Sequence, residues 1–291
     1  MFPVRLLPSC FSNQIPPIVH KQYFRSIGDY TKHPQKDNDQ QKGAKMALYI
    51  LSDTHLSKAK EKPMDIFGSR WTSHAEKIEK NWQAVVTPSD TVIIGGDISW
   101  GISLDEAAPD LKFIADLPGK KIFLRGNHDY WWNTLTKNRE FFDRCGICGI
   151  DFLQNNAISA EGFVICGTRG WYSDSANAPS DTDYKKIVTR EALRLKMSLD
   201  ASRGMEGERI AIFHFPPVFG DYVCREIVDI LHEYNIGRVF FGHIHGLYRV
   251  PQVTLFEDIE FSLCSCDFLN FIPYRIDHVG AHIGEEYIKK L

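Results

Sequence analysis

Six short apolar runs recur through this sequence, and five of them break off into Asp, Asn or His. The runs are Ala47 to Leu51, Thr91 to Ile94, Lys121 to Leu124, Phe163 to Cys166, Arg209 to Phe213 and Arg238 to Phe241. They are rich in Ile, Val and Phe, and most are apolar at successive positions. A strand built that way is covered on both faces, as in a sheet with a layer on either side. Amphipathic stretches lie between the runs, and such alternation is the pattern of an α/β domain. Ser73-x-x-Glu76 reads as a capping box opening a stripe of Ile78, Trp82 and Val85. Ser103-x-x-Glu106 opens a second helix, kinked or restarted near Pro109. Asp183 to Leu199 and Val223 to Tyr234 are further helices, the last closing near Asn235 and Gly237. The stretch VTLFEDIEFSLCS, residues 253 to 265, reads as a hairpin with an acidic turn at Glu257 and Asp258.

With 291 residues, 43% of them hydrophobic, the chain can bury a large core and still carry an appendage. Residues 1–45 are the expected appendage. They hold the Pro16-Pro17 pair and the stretch HPQKDNDQQKGAK, residues 33–45, which has no large apolar side chain to bury. They read as an unfolded tail, with Met46 as the working start of a domain over 46–291; the alternative is a partner-binding arm. No run approaches the roughly 18 apolar residues of a membrane span, and the N-terminus does not read as a signal peptide. A cytoplasmic location is therefore expected, and the odd number of cysteines, seven, suits a reducing compartment. A structural zinc joining Cys145-x-x-Cys148 to Cys264-x-Cys266 is conceivable, but small residues near turns are the preferred reading. The net charge of -3 and pI near 6.4 give no basic field, so nucleic acid is not indicated as a partner. An anionic substrate would have to be attracted by something other than side-chain charge, such as a metal.

The chemistry lies in the residues just past the runs. Leu51 is followed by Ser-Asp53-Thr-His55, and Ile94 by Gly-Gly96-Asp97. After Leu124 comes Arg-Gly-Asn127-His128-Asp129, after Phe213 comes His214, and after Phe241 comes Gly-His243-Ile-His245. In an open α/β sheet ligands bind at the carboxyl ends of the strands, so these residues are expected to converge on one crevice. Any one of them alone reads as a turn or a packed residue; the five together do not. Asp, Asn and His supply O and N donors without thiolate, which suits Mn²⁺, Fe²⁺/Fe³⁺ or Zn²⁺. They are too many for one catalytic zinc, which takes about three protein ligands. Two ions about 3.5 to 4 Å apart, bridged by a carboxylate, would use them all.

In order and spacing, Asp53-x-His55, Gly96-Asp97, Gly126-Asn127-His128-Asp129, His214 and Gly242-His243-x-His245 resemble the motifs of calcineurin-like metallophosphoesterases, from Met46 to about Ile276. The resemblance implies a four-layer α/β/β/α sandwich with two mixed β-sheets packed face to face. It further implies one ion held by Asp53, His55, Asp97 and His245 and the other by Asp97, Asn127, His214 and His243, with Asp97 as the bridge. A hydroxide bridging two such ions exists at neutral pH and can attack a phosphate ester. His128 is the ring left over to assist the leaving oxygen, and Asp129 either orients that ring or makes a turn. Arg169, in CGTRGW, reads as a substrate contact or as a solvated turn residue. Tyr130, Trp131 and Trp132 read as a helix start packed on the core rather than a wall for substrate. His74, His232, His278 and His282 look like surface residues.

The expected activity is a dinuclear-metal-dependent phosphoric ester hydrolase acting on a small phosphorylated substrate, leaning to a small phosphodiester. A phosphomonoesterase of the same fold and a non-catalytic scaffold that keeps the metal site are the alternatives. A mononuclear zinc hydrolase would need an H-E-x-x-H that is missing here. GDISWG lacks the Gly-Asp-x-Val-Asp-Arg-Gly block of the protein Ser/Thr phosphatases, which counts against that branch.

Overall fold

The computed structural model describes residues 46–59, 62–172 and 181–278, so the expectations for residues 1–45 and for His282 lie outside the described residues. Its strands are β1 (Leu48–Leu51), β2 (Thr91–Ile94), β3 (Lys120–Phe123), β4 (Ile150–Phe152), β5 (Ile158–Ala160), β6 (Phe163–Thr168), β7 (Glu208–Phe213), β8 (Val218–Phe219), β9 (Tyr222–Val223), β10 (Arg238–Phe241), β11 (Val253–Phe256), β12 (Ile259–Leu263) and β13 (Tyr274–Ile276). The helices are α1 (His74–Val85), α2 (Leu104–Asp116), α3 (Leu135–Cys145), α4 (Asp181–Ala201) and α5 (Arg225–Glu233). One sheet has the order β13-β1-β2-β3-β4, with β13 antiparallel and the rest parallel. The other has the order β11-β12-β10-β7-β6-β5, parallel in the middle and antiparallel at both edges. Both sheets are mixed, as expected.

Side-chain alternation along the strands generates the layers. In β1, Leu48 and Ile50 join residues of the second sheet, Ile165, Ile210, Ile212 and Phe240, in a core between the sheets. Tyr49 and Leu51 point the other way, into a core shared with Ile78 and Trp82 of α1, Leu111 and Ile114 of α2, and Phe141 and Phe142 of α3. The outer face of the second sheet packs Ala211, Phe213, Val239 and Phe241 on Leu195 of α4 and on Val228 and Leu231 of α5. Three cores thus separate helices, sheet, sheet and helices. At the carboxyl end of β1, the amide of Ser52 donates to Cys264 O and the amide of Cys266 donates to Ser52 O, a parallel bridge onto the chain leaving β12. The parallel strands of the two sheets therefore end on the same side of the molecule.

Several local expectations hold. The Ser103 hydroxyl accepts from the Glu106 amide at 3.2 Å, although α2 is one helix from Leu104 to Asp116 with Pro109 inside it rather than a helix restarted there. The hairpin β11-β12 turns at Glu257 and Asp258, both with positive φ (47° and 63°), the conformation a two-residue turn requires. Others are corrected. Ser73 sits in the left-handed region and makes no side-chain cap, because two 3-10 turns, Met64–Phe67 and Ser69–Trp71, deliver the chain to α1. The helix expected at Tyr130 starts at Leu135 instead, capped by the Thr134 hydroxyl at 3.4 Å from the Lys137 amide. Cys145 and Cys148 are exposed while Cys264 and Cys266 are fully buried, and among the described residues no cysteine belongs to a group that could hold a metal ion. No described helix is long and apolar enough to cross a membrane.

Candidate metal centre

The strand-end residues meet where the two sheets touch. Asp53 and His55 leave β1, Asp97 leaves β2 and Asn127 follows β3, all from the first sheet; His214 leaves β7 and His243 and His245 follow β10, from the second. The first two loops zip together through the amide of Asp53 on Gly96 O, of His55 on Asp97 O and of Leu56 on Ile98 O, at 2.9 to 3.0 Å. Asp53, His55, Asp97 and His243 all have positive φ, from 45° to 68°. Such backbone costs on the order of 1 kcal/mol or more per residue and concentrates at functional sites. Gly96 and Gly126 let the loops approach. A Cβ on Gly96 (φ 98°) would stand 2.7 Å from the Gly126 Cα and 2.8 Å from His214 Nδ1, and a Cβ on Gly126 would stand 2.1 Å from Asp97 Oδ1.

Two groups of ligand atoms result, Asp53, His55 and His245 in one and Asp97, His214 and His243 in the other, with the atoms of each group within 4.8 Å of one another. Asn127 Oδ1 joins the second group at 2.6 Å from His214 Nε2. Asp97 lies between the groups. Its Oδ2 is 3.7 Å from His55 Nε2 and 3.5 Å from His214 Nε2, while its Oδ1 accepts from the His128 amide at 2.7 Å. Asp53 Oδ1 is 3.5 Å from His245 Nε2, and both oxygens of Asp53 accept from the His243 amide.

The hydrogen bonds behind these rings decide what the site can hold. His214 Nδ1 lies 3.1 Å from the Gly95 carbonyl, which can only accept, so Nδ1 carries the hydrogen and Nε2 presents a lone pair. That lone pair faces Asn127 Oδ1 and Asp97 Oδ2, which are acceptors too. His245 Nδ1 lies 2.8 Å from Asp267 Oδ1, which turns its Nε2 toward Asp53 and toward His55 Nε2 at 3.4 Å. At His214, lone pairs aimed at one another in a buried space are matched by a cation, and carboxylate or carbonyl partners behind the rings are the usual support of metal-binding histidines. Burial pushes the His55, His214 and His243 imidazoles well down, which leaves them neutral and able to ligate. Burial, then the neighbouring Asp129 and Asp53, push the Asp97 carboxyl well up. Burial also lowers His245, but Asp53 and Asp267 outweigh it and raise that ring to about 10. The fit to divalent cations is that of N and O donors without thiolate.

His128 and Asp129 part company. Asp129 is fully buried, and its carboxylate takes the amides of Asp97 (2.9 Å), Ile98 (2.8 Å) and Gly126 (2.8 Å) and the Trp131 indole (3.0 Å). It does not bond the His128 ring, whose buried Nδ1 has no partner, so its turn role replaces the expected orienting role. The carboxylate is consumed in tying the loop after β2 to the loop after β3. The His128 ring stands at the rim, 4.5 Å from Trp100 and 6.0 Å from Tyr130, and burial lowers it to about 4. Trp131 and Trp132 pack in the core as expected, whereas Tyr130 is 56% exposed. Arg169 is half-buried, with its main-chain carbonyl accepting from the His214 and Phe215 amides.

Sequence reasoning missed several neighbours. Asp267 accepts from His245, from the Gly246 amide at 3.0 Å and from Tyr248 Oη at 3.1 Å; it too comes after an apolar run, IEFSLCSC, and the same strand-end rule points to it. Trp100 stacks on His55 at 4.8 Å. His74 is not a surface residue: its Nε2 lies 3.2 Å from His55 O, and its ring meets Trp71 edge-on at 5.5 Å. His278 likewise stacks on Phe163 at 3.9 Å, while His232 is exposed as expected.

A family model described as calcineurin-like phosphoesterase matches residues 46–247. The gene 66 protein of Mycobacterium phage L5 is 33% identical over 81 residues, 28% of this chain and 39% of that protein. An uncharacterized protein of Methanocaldococcus jannaschii is 33% identical over 86 residues, 28% of this chain and 46% of that protein. The chain thus spans less than half the length of these curated relatives. Among solved structures, a protein of unknown function from Aquifex aeolicus aligns with a TM-score of 0.45 at 19% identity, over 84% of this chain and 98% of that one. A phosphopantetheinyl hydrolase from Mycobacterium tuberculosis aligns with a TM-score of 0.47 at 16% identity, over 77% of this chain and 90% of that one.

Proposed function

Because this chain belongs to the calcineurin-like phosphoesterases, we propose that it is a metal-dependent phosphoric ester hydrolase that works with two divalent ions and acts on a small phosphodiester. The observation that carries the dinuclear reading is the place of Asp97, one of whose oxygens lies within 3.7 Å of a histidine from each ligand group. When bound, two such ions supply a nucleophilic oxygen at neutral pH and offset the charge that grows on the phosphate oxygens during in-line displacement. Asp53, His55, Asp97 and His245 hold one ion, and Asp97, Asn127, His214 and His243 the other. Asp267 and the Gly95 carbonyl fix the rings of His245 and His214. Asp129 keeps the Asp97 main chain in place by taking its amide. His128, at the rim and outside both groups, offers a hydrogen bond to the leaving oxygen.

Elemental analysis with a two-substrate assay tests this. The Mn²⁺-saturated chain should carry two ions and turn over bis-p-nitrophenyl phosphate faster than p-nitrophenyl phosphate. Asp97→Ala should lose both ions and all turnover, whereas Asn127→Ala should weaken mainly one site. A single ion in fully active protein overturns the dinuclear reading, and faster turnover of the monoester overturns the choice of a diester.

A further inference from the structure

A cleft of about 380 Å³ opens beside the second ligand group, at the carboxyl ends of β3, β4 and β6 and under α4. Its size lies within the usual range of small-ligand pockets, roughly 300 to 1,000 Å³. Four arginines line it, Arg125, Arg169, Arg190 and Arg194, against one carboxylate, Glu191. That carboxylate is already engaged. Glu191 Oε2 accepts from Thr168 Oγ1 at 2.6 Å and from the Gly170 amide at 3.1 Å, and Oε1 pairs with Arg194 at 2.6 Å. No other carboxylate among the described residues lines the cleft. Among the described residues Arg125, Arg169 and Arg190 form no ion pair; the Arg190 Nε reaches only the Lys186 carbonyl at 3.4 Å. The Arg169 Nε is buried and has no hydrogen-bond partner among the described residues.

Arg125, Arg190 and Arg194 are exposed and Arg169 is half-buried; burial lowers the Arg169 guanidinium, Glu191 pulls it back up, and Arg125 and Arg194 lower it again. Such an arrangement is stable when an anion shares it, and guanidinium forks match phosphate oxygens two at a time. The cleft adjoins the metal centre: Arg125 stands two residues before Asn127, and the Arg169 carbonyl accepts from the His214 amide. Trp171 lines the same cleft, and its buried indole N–H has no partner among the described residues.

We propose that this cleft is a subsite for a second, non-reacting phosphoryl group carried by the substrate. The proposal rests on the phosphoesterase reading, and names the substrate class as a small phosphate ester bearing a further phosphate. Arg125, Arg169 and Arg190 bind that group while the ester phosphate lies at the metal centre.

A matched pair of substrates tests it on the full, Mn²⁺-loaded chain: the p-nitrophenyl ester of thymidine 5′-phosphate with and without a 3′-phosphate. The 3′-phosphorylated compound should show the lower KM by on the order of 10-fold or more. In Arg125→Gln, Arg169→Gln and Arg190→Gln the ratio of kcat/KM between the two compounds should fall toward one, with unchanged metal content and melting temperature. In parallel, the metal-free chain is titrated calorimetrically with inorganic pyrophosphate, which should bind and lose on the order of 10-fold in affinity in each variant. Equal KM values for the pair, unmoved by the substitutions, overturn the subsite while leaving the phosphoesterase reading intact. Pyrophosphate binding that the substitutions weaken, in a chain that hydrolyses neither ester, upholds the anion site and removes the phosphoesterase reading instead. Pyrophosphate binding that all three variants retain overturns the proposal outright.

Discussion

His128 is the one imidazole of the cluster that neither ligand group takes up, and its ring stands at the rim beside Trp100. If it assists the leaving oxygen, its worth depends on how badly that oxygen leaves: an alkoxide needs the help and p-nitrophenolate does not. His128→Asn should keep both ions, lose on the order of 10² to 10⁴ in kcat on an alkyl ester, and lose much less on a nitrophenyl ester. Equal large losses on both esters with metals intact would point to phosphate binding rather than leaving-group assistance, and loss of one ion would make His128 a ligand. The residues around it differ in how legible they were. Asp53, His55, Asp97, Asn127, His214, His243 and His245 could be picked out because each ends an apolar run, and the structure gathers them in one place. Asp129 could not be assigned: a carboxylate next to a histidine in sequence looks the same whether it faces the ring or, as here, the amides of Asp97, Ile98 and Gly126.

At the scale of elements, that same carboxylate joins two strand ends. Asp129→Ala leaves the buried amides of Asp97, Ile98, Ser99 and Gly126 and the Trp131 indole N–H without that acceptor, at a cost of about 1 to 3 kcal/mol for each group stranded. Chemical denaturation should therefore show a loss of roughly 3 kcal/mol or more, accompanied by lower metal content because Asp97 loses its anchor. A loss below about 1 kcal/mol would mean that water replaces the carboxylate and that the clamp is dispensable. A second element contact titrates. Lys121 on β3 is 1% exposed and donates to the Ala115 and Leu117 carbonyls at the end of α2, and burial lowers its ammonium to about 8. The unfolded chain, with an ordinary lysine near 10.4, binds more protons than the folded one between those values. Stability contributed by this group therefore rises with pH from about 8 to about 10, by at most about 1.4 kcal/mol per pH unit. Urea unfolding at pH 8, 9 and 10 should show that slope in the wild type and its disappearance in Lys121→Met; identical slopes would mean that Lys121 keeps an ordinary pKa. The central strands were legible because both their faces are buried, as in β2 and β6. The three-residue strands β4, β5 and β13 were not, because a half-buried tripeptide carries no period, and the sheet partner alone makes it a strand.

For the whole molecule, the site is a seam. Asp53, His55, Asp97 and Asn127 belong to one sheet and His214, His243 and His245 to the other, so any ion held by both sets ties the sheets together at their carboxyl ends. The same scale explains why the arginine cleft escaped notice in the sequence. Arg125, Arg169 and the Arg190–Arg194 pair lie far apart along a chain of net charge -3, and only the packing of α4 over β6 brings them together. Ions that bind the folded seam and not the unfolded chain add stability in proportion to their saturation, about 2.7 kcal/mol for one ion at a hundred times its Kd. For a domain of this size that is a rise of about 5 to 10 °C in Tm. The chelated wild-type chain should accordingly melt at least 5 °C below the Mn²⁺-saturated one, and readdition of Mn²⁺ should restore the difference. Asp97→Ala should melt at the same temperature with and without Mn²⁺, since it removes the oxygen that faces both groups. Asn127→Ala should keep an intermediate shift, because His245, Asp53 and His55 remain to hold one ion. A wild-type Tm that chelation does not move would mean that the seam is held by its apolar core alone, and a shift of full size in Asp97→Ala would place the stabilising ion somewhere other than between the sheets.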